Sequence, residues 1–149
     1  MKKRDIEKVI TNWDTRKWKT EVEGKSSLEI YKNFKTDIKE DKNYDNTLAS
    51  ILLYKARANV LQLNDRKRHQ GESTSCPLCN FEFENLKHFI LECEKLEEIR
   101  IENIYLQRPQ EEKPDKIIGK FLFNENIEET KRTLTKLMKK RDQLIKNES

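Results

Sequence analysis

Four residues in one short stretch carry the clearest chemistry of this 149-residue chain: Cys76, Cys79, His88 and Cys93. All three cysteines and one of the two histidines fall within 18 residues, spaced Cys-x2-Cys-x8-His-x4-Cys. Thiolate and imidazole are the donors that a tetrahedral zinc ion takes, and two cysteines separated by two residues can turn both sulfurs onto one ion. Pro77 stiffens that turn. His88 and Cys93 are expected from the start of a helix and its first bend, where the helix dipole favours thiolate. Four protein ligands leave no open coordination position, so the Zn2+ expected here is structural. Two other readings stay open. Cys76-Pro-x-Cys79 could be a redox dithiol, or the three cysteines could be unrelated buried residues. His69, the second histidine, sits in a basic run and is expected to face solvent or nucleic acid.

Charge is uneven along the chain. Residues 1–20 carry seven bases against three acids, residues 46–75 five against two, and residues 76–100 three against six. The flanks of the cysteine cluster can thus meet phosphate, through Arg57, Arg66, Lys67, Arg68 and His69, while Tyr54 can stack on a base. The competing reading is a set of solvated charges, with Arg57 paired to a nearby acid. Trp13 continues a helical stripe of Ile6, Val9 and Ile10 and is expected in the core. Trp18 is expected as an exposed stacking platform or an anchor for another protein. Pro114-Asp115 and Glu129-Thr130-Lys131 match a pattern in which two acids hold Mg2+ and a lysine activates water, a metal-dependent nuclease. Such a site needs a sheet beneath it, whereas residues 127–146 read as helix.

The elements that must position these residues are helical nearly throughout. Residues 5–20 form a first helix. Ser26 and Glu29 make a capping box for a second, with Leu28, Tyr31, Phe34 and Ile38 on one face. After a polar turn at 41–46, Thr47 caps a third helix with Leu48, Ile51, Leu52, Ala56 and Val60. It is the most apolar helix and is read as the central one, with Arg57 on another of its faces. Residues 64–75 read as a polar loop. Another helix begins near Asn85 and carries Leu86, Phe89, Ile90, Leu96 and Ile99. Residues 108–114 form a loop with two prolines, and the conformation of residues 117–123 is not settled by their pattern. A last amphipathic helix places Ile127, Leu134, Leu137, Met138, Arg141, Leu144 and Ile145 on a stripe. Its bases Lys131, Arg132, Lys136, Lys139, Lys140, Arg141 and Lys146 are expected to be mainly a solvated face.

The fold class expected is therefore mainly α: a small helical domain built around one structural zinc knuckle, with a C-terminal amphipathic helix. One domain, 1–149, is expected, with N-terminal helices at 1–63, the knuckle and its helix at 64–107, and an arm and helix at 108–149. Charged residues are 39% of the chain and hydrophobic ones 34%, against roughly 25% and 45–50% in ordinary domains, so the core is thin and a metal staple would matter. No run of 18 apolar residues exists for a membrane span. The odd cysteine count argues against a secreted disulfide framework, so nucleus or cytoplasm is the expected compartment.

Residues 52–64 (Leu-Leu-Tyr-Lys-Ala-Arg-Ala-Asn-Val-Leu-Gln-Leu-Asn) are followed by Arg66-Lys67-Arg68-His69, Cys76-Pro77-Leu78-Cys79, Leu86-Lys87-His88-Phe89-Ile90-Leu91-Glu92-Cys93, and a closing Leu96 and Arg100. Leu28-Glu29-Ile30-Tyr31 and Tyr44-Asp45-Asn46 precede them. This segment resembles the C-terminal Cys-Cys-His-Cys knuckle region of LINE-like, non-LTR retrotransposon reverse transcriptases. The resemblance implies zinc on those four residues and a grip on element RNA or target DNA. No polymerase-like pair of adjacent aspartates is present, so polymerase activity is not implied, and the chain is expected not to be an enzyme. The expected function is a nucleic-acid-binding accessory segment, without a small-molecule substrate. The alternative is an interaction module that packs on a reverse-transcriptase core without touching nucleic acid.

Overall fold

The computed structural model describes residues 2–25, 28–35, 45–107 and 112–148. The capping box at Ser26, Ile38, Tyr44, most of the 41–46 turn and residues 108–111 lie outside the described residues. Within them the chain is helical and has no strand: α1 (Lys3–Glu23), α2 (Glu29–Phe34), α3 (Leu48–Arg57), a four-residue α4 (Glu97–Arg100), α5 (Pro114–Leu122) and α6 (Ile127–Glu148), with shorter 3-10 and π turns between α3 and α5. Residues 117–123, ambiguous by pattern, are mostly helix: Pro114 starts α5 at the position where its missing N–H is harmless.

The core is built where α3 packs on α6 and α2 on α5. Leu52, Leu53 and Ala56 from α3 are buried with Ile117, Ile118, Phe121 and Leu122 from α5 and Leu134 and Leu137 from α6. Thr47 caps α3 by accepting from Ser50 N (3.2 Å). Asp45 accepts from the Thr47 and Ser50 hydroxyls, the Ser50 bond above all holding its carboxyl well below the usual carboxylate range. The C-terminal stripe is as expected, with Ile127, Leu134, Leu137 and Arg141 buried and Met138, Leu144 and Ile145 packed against the core.

Three expectations need correction. Leu48 and Ile51 are exposed, and α3 ends at Arg57, so Val60 lies beyond it and is half-buried. Arg57 is not on a separate face: at about 100° per residue it lies only about 40° from Leu53, and it is 5% exposed. Its Nε donates to Leu122 O (2.9 Å) and its guanidinium lies 4.3 Å from the centroid of the Phe123 ring. Trp13 is the third. It is 62% exposed, as are much of Ile6, Val9 and Ile10. The helix meets the body through the opposite side: Val22 is buried and Trp18 packs edge-on against Tyr31 at 6.1 Å. Val22 follows Trp13 by nine residues, about 180° around the helix, so the two cannot both face inward. The stripe signalled a helix correctly and its buried side wrongly.

Gly119 sits where α2 crosses α5. A Cβ built there would fall inside the edge of the Phe34 ring, which also stacks on Phe123 at 5.9 Å. Gly119→Ala gains roughly 1 kcal/mol of helix propensity but must expel that ring, at a cost of about 1–3 kcal/mol for overpacking. A lower melting temperature is expected; a raised one would show that the ring moves freely.

Candidate metal centre

The first two donors come from a tight turn. Asn80 N donates to Cys76 O (2.9 Å) and Cys76 N to Phe81 O (2.8 Å), while Asn80 takes a left-handed φ of 65°, a conformation asparagine tolerates. Further out Glu84 N donates to Thr74 O (2.8 Å), so residues 74–84 close on themselves without forming a strand. Backbone N–H groups of Leu78 and Cys79 point at the Cys76 sulfur, and that of Phe81 points at Cys79.

The other two donors come from residues 88–93. Here the continuous helix expected from Asn85 through Ile99 does not form. His88–Glu92 is a π turn in which Cys93 N donates to His88 O (2.8 Å), and Cys93 then leaves helical geometry with ψ 117°. The physical reason is alignment. In an α-helix, residues five apart lie about 140° apart around the axis; an i to i+5 bond stacks them instead, as π turns at functional sites do. The bend after Cys93 is held by Arg100, which is buried and donates from Nε to Ile90 O (2.8 Å) and from Nη2 to Cys93 O (2.9 Å).

Together the two segments bring all four donors together, with every ligand atom within 4.8 Å of every other. Cys76 Sγ and Cys93 Sγ are 3.9 Å apart, and Cys79 Sγ and His88 Nε2 are 3.3 Å apart. A tetrahedron with metal–sulfur distances of about 2.3 Å has edges of about 3.8 Å, or about 3.5 Å between sulfur and nitrogen. The set can therefore hold one metal ion. Its electrostatics point the same way. Hydrogen bonding from Cys93 first, then from backbone N–H groups, lowers the Cys76 thiol to about 4. The shared proton with Cys76, and then burial, push Cys93 far up, and burial raises Cys79. A bound metal ion would favour the thiolate form of all three sulfurs. His88 is buried and stacks on Phe81 at 4.7 Å with 7° between planes. Its Nδ1 is buried and has no hydrogen-bond partner among the described residues, and the packing of the Phe81 ring on the imidazole takes the place of the carboxylate or carbonyl that usually orients such a ligand.

Sequence reading missed the group that ties this centre to the rest of the chain. Glu84 is 1% exposed and accepts two hydrogen bonds from Arg141 on α6, Nε to Oε2 (2.7 Å) and Nη2 to Oε1 (2.8 Å). It also accepts from Asn64 N (2.8 Å), and its carbonyl accepts from Asp65 N (3.1 Å). Asn64 Nδ2 donates in turn to Ser75 O (2.8 Å). The segment expected to be a loop is thus a 3-10 helix, Asn64–Gln70, clamped to the cysteine turn.

That helix presents Arg66, Lys67, Arg68 and His69, all exposed. Arg66 Nη1 donates to Asn59 O (3.0 Å), Lys67 lies 3.6 Å from Glu72, and Arg68 pairs with Asp65 (2.7 Å) and lies over Phe83. Tyr54 is exposed on α3. Arg57, expected among the phosphate-facing residues, is turned inward and serves the α3–α5 contact. The residues of the nuclease pattern do not form such a site among the described residues. Asp115 and Glu129 stand on helices, Glu129 pairs with Arg132, and Lys131 is buried beside Glu128 and Asp45. No described helix is long and apolar enough to cross a membrane. No protein-family model, curated protein or solved structure matches the chain.

Proposed function

We propose that Cys76, Cys79, His88 and Cys93 hold one structural Zn2+, and that the surface it braces binds the phosphate backbone of a nucleic acid. Zinc is the ion that three thiolates and an imidazole in tetrahedral reach suit best, and with four protein ligands it serves as a staple. The observation that carries the nucleic-acid reading is the exposed basic run Arg66-Lys67-Arg68-His69, held on a short helix that Asn64 and Glu84 fasten to the cysteine turn. The present partners of these bases are an exposed acid, a half-buried acid and one carbonyl. Such pairs are worth little in water and exchange readily for phosphate. The resemblance to the knuckle region of LINE-like reverse transcriptases supports the same reading, with element RNA or target DNA as the partner.

Changing Arg66, Lys67 and Arg68 together to Ala should weaken binding to RNA or DNA and leave the melting temperature nearly unchanged, because all three are exposed. Removing each phosphate-bound cation should flatten the slope of log K against log salt by about 0.7–0.9. Sequence preference should stay put, since phosphate contacts position a nucleic acid and do not read it. A purified chain that binds neither single-stranded RNA nor duplex DNA at about 50 mM salt, where such binding is strongest, would end this reading.

One feature favours a second reading, a module that docks on another protein. Ile6, Val9, Ile10 and Trp13 form an apolar stripe on the side of α1 that faces away from the body. Trp13→Ser should leave stability unchanged and abolish co-purification with a partner if that reading holds.

A further inference from the structure

Cys76-Pro77-Leu78-Cys79 has the form of a redox dithiol as well as that of a metal knuckle. We propose that the two roles meet in one device: Cys79 is a site of oxidation by hydrogen peroxide, and Cys76 resolves it to a Cys76–Cys79 disulfide that ejects the metal ion. The inference rests on the metal reading above and adds to it the regulation of that centre, an oxidant that switches it off.

Susceptibility of a cysteine to peroxide follows its thiolate character, its exposure and the presence of a second cysteine beside it. Cys79 meets all three. As a metal ligand it would be held as thiolate, the nucleophilic form. It is the one half-buried cysteine, while Cys76 and Cys93 are 1% and 0% exposed. Asn80 and Phe81, next in the chain, are exposed. Of the three cysteines, Cys79 is therefore the one open to a small solute. Cys76 and Cys93 both stand within 4.8 Å of its sulfur, close enough to resolve it.

The turn decides between them. Cys76 and Cys79 share a segment that closes on its own backbone, Asn80 N donating to Cys76 O (2.9 Å) and Cys76 N to Phe81 O (2.8 Å). Cys93 belongs to the second segment, beyond the π turn, and the two segments meet at the metal. Once Cys79 is oxidised and coordination weakens, the pair within the turn stays together while Cys93 is free to part.

The chemistry balances in two steps. The Cys79 thiolate attacks one peroxide oxygen, the O–O bond breaks, and a sulfenic acid forms as hydroxide leaves. The Cys76 thiolate then attacks the Cys79 sulfur, forming the S–S bond and releasing the second hydroxide. Each sulfur gives up one electron, the two peroxide oxygens take them, and two protons from solvent convert the hydroxides to water. His88 and Cys93 are then the two donors left, half the set that a structural site needs.

The test treats the intact, zinc-loaded chain with excess hydrogen peroxide in the presence of a zinc-responsive dye. Close to one zinc per chain should be released, in step with a mass loss of two hydrogens and a fall from three free thiols to one. Peptide mapping should join Cys76 to Cys79 and leave Cys93 reduced. Dimedone, which traps sulfenic acids, should mark Cys79 in place of the disulfide when present from the start. Dithiothreitol followed by zinc should restore the loaded chain. Every readout is made on the unsubstituted protein, so a variant's failure to fold cannot intervene. Zinc that stays bound with all three thiols intact overturns the switch, as does a disulfide that includes Cys93 or a dimedone adduct on Cys76 or Cys93 alone; each of these leaves the metal reading standing. A purified chain that takes up no zinc overturns both.

Discussion

Removal of the proposed zinc should unfold the segment 76–100 and, with it, most of the tertiary structure. Structural zinc in small sites contributes on the order of 10 kcal/mol of binding free energy that appears as folding free energy, while a whole domain of this kind is stable by about 5–15 kcal/mol. The ion is thus comparable to the entire margin. Its loss would leave three clustered thiols, a buried imidazole, and a π turn whose alignment no longer serves a bond. Purified protein should contain close to one zinc per chain, and a strong chelator should abolish the cooperative melt. Cys93→Ser, at a fully buried sulfur, and His88→Ala should do the same without chelator. A chain that melts cooperatively with free thiols and no metal would refute the staple.

The second large effect is expected at Glu84 and Arg141. Breaking a buried pair from one side leaves an uncompensated charge and costs about 3–5 kcal/mol. Glu84→Gln and Arg141→Met should each lower the unfolding free energy by about that amount, seen as a lower denaturant midpoint with the slope of the transition unchanged. The double change Glu84→Leu with Arg141→Leu should recover part of the loss, because replacing both partners removes the stranded charge. Recovery should be incomplete. Asn64 N, which donates to the same carboxylate, would then be left without its acceptor, an expense of about 1–3 kcal/mol. Single variants that each cost under about 1 kcal/mol would show that this pair is solvated in solution.

How much of this was legible follows from the range over which each signal acts. The donor set could be read from the sequence because all four residues lie within one local stretch and their types are rare elsewhere in the chain. The C-terminal helix could be read because its stripe is long and regular. Glu84, Arg57 and Lys131 could not, because a charged residue reads as solvated by type, and its burial depends on a partner far along the chain: 57 residues away for Glu84 and 65 for Arg57. Arg141 was the one visible sign, a guanidinium standing in an otherwise apolar stripe. Such a residue is buried only when paired, so its position called for an acid that the pattern could not name. The orientation of α1 failed for a related reason. Periodicity locates an apolar face and says nothing of which body, if any, lies against it.

The π turn has a consequence for ligand spacing. A turn closed by an i to i+5 bond is an α turn holding one extra residue. Delete that residue and the turn closes as ordinary helix, with the last histidine and cysteine four apart and still on one side of it. The interval between these two ligands is therefore not a fixed ruler: with three residues between them, a His and a Cys would lie on one side of an ordinary helical turn and could still reach one ion.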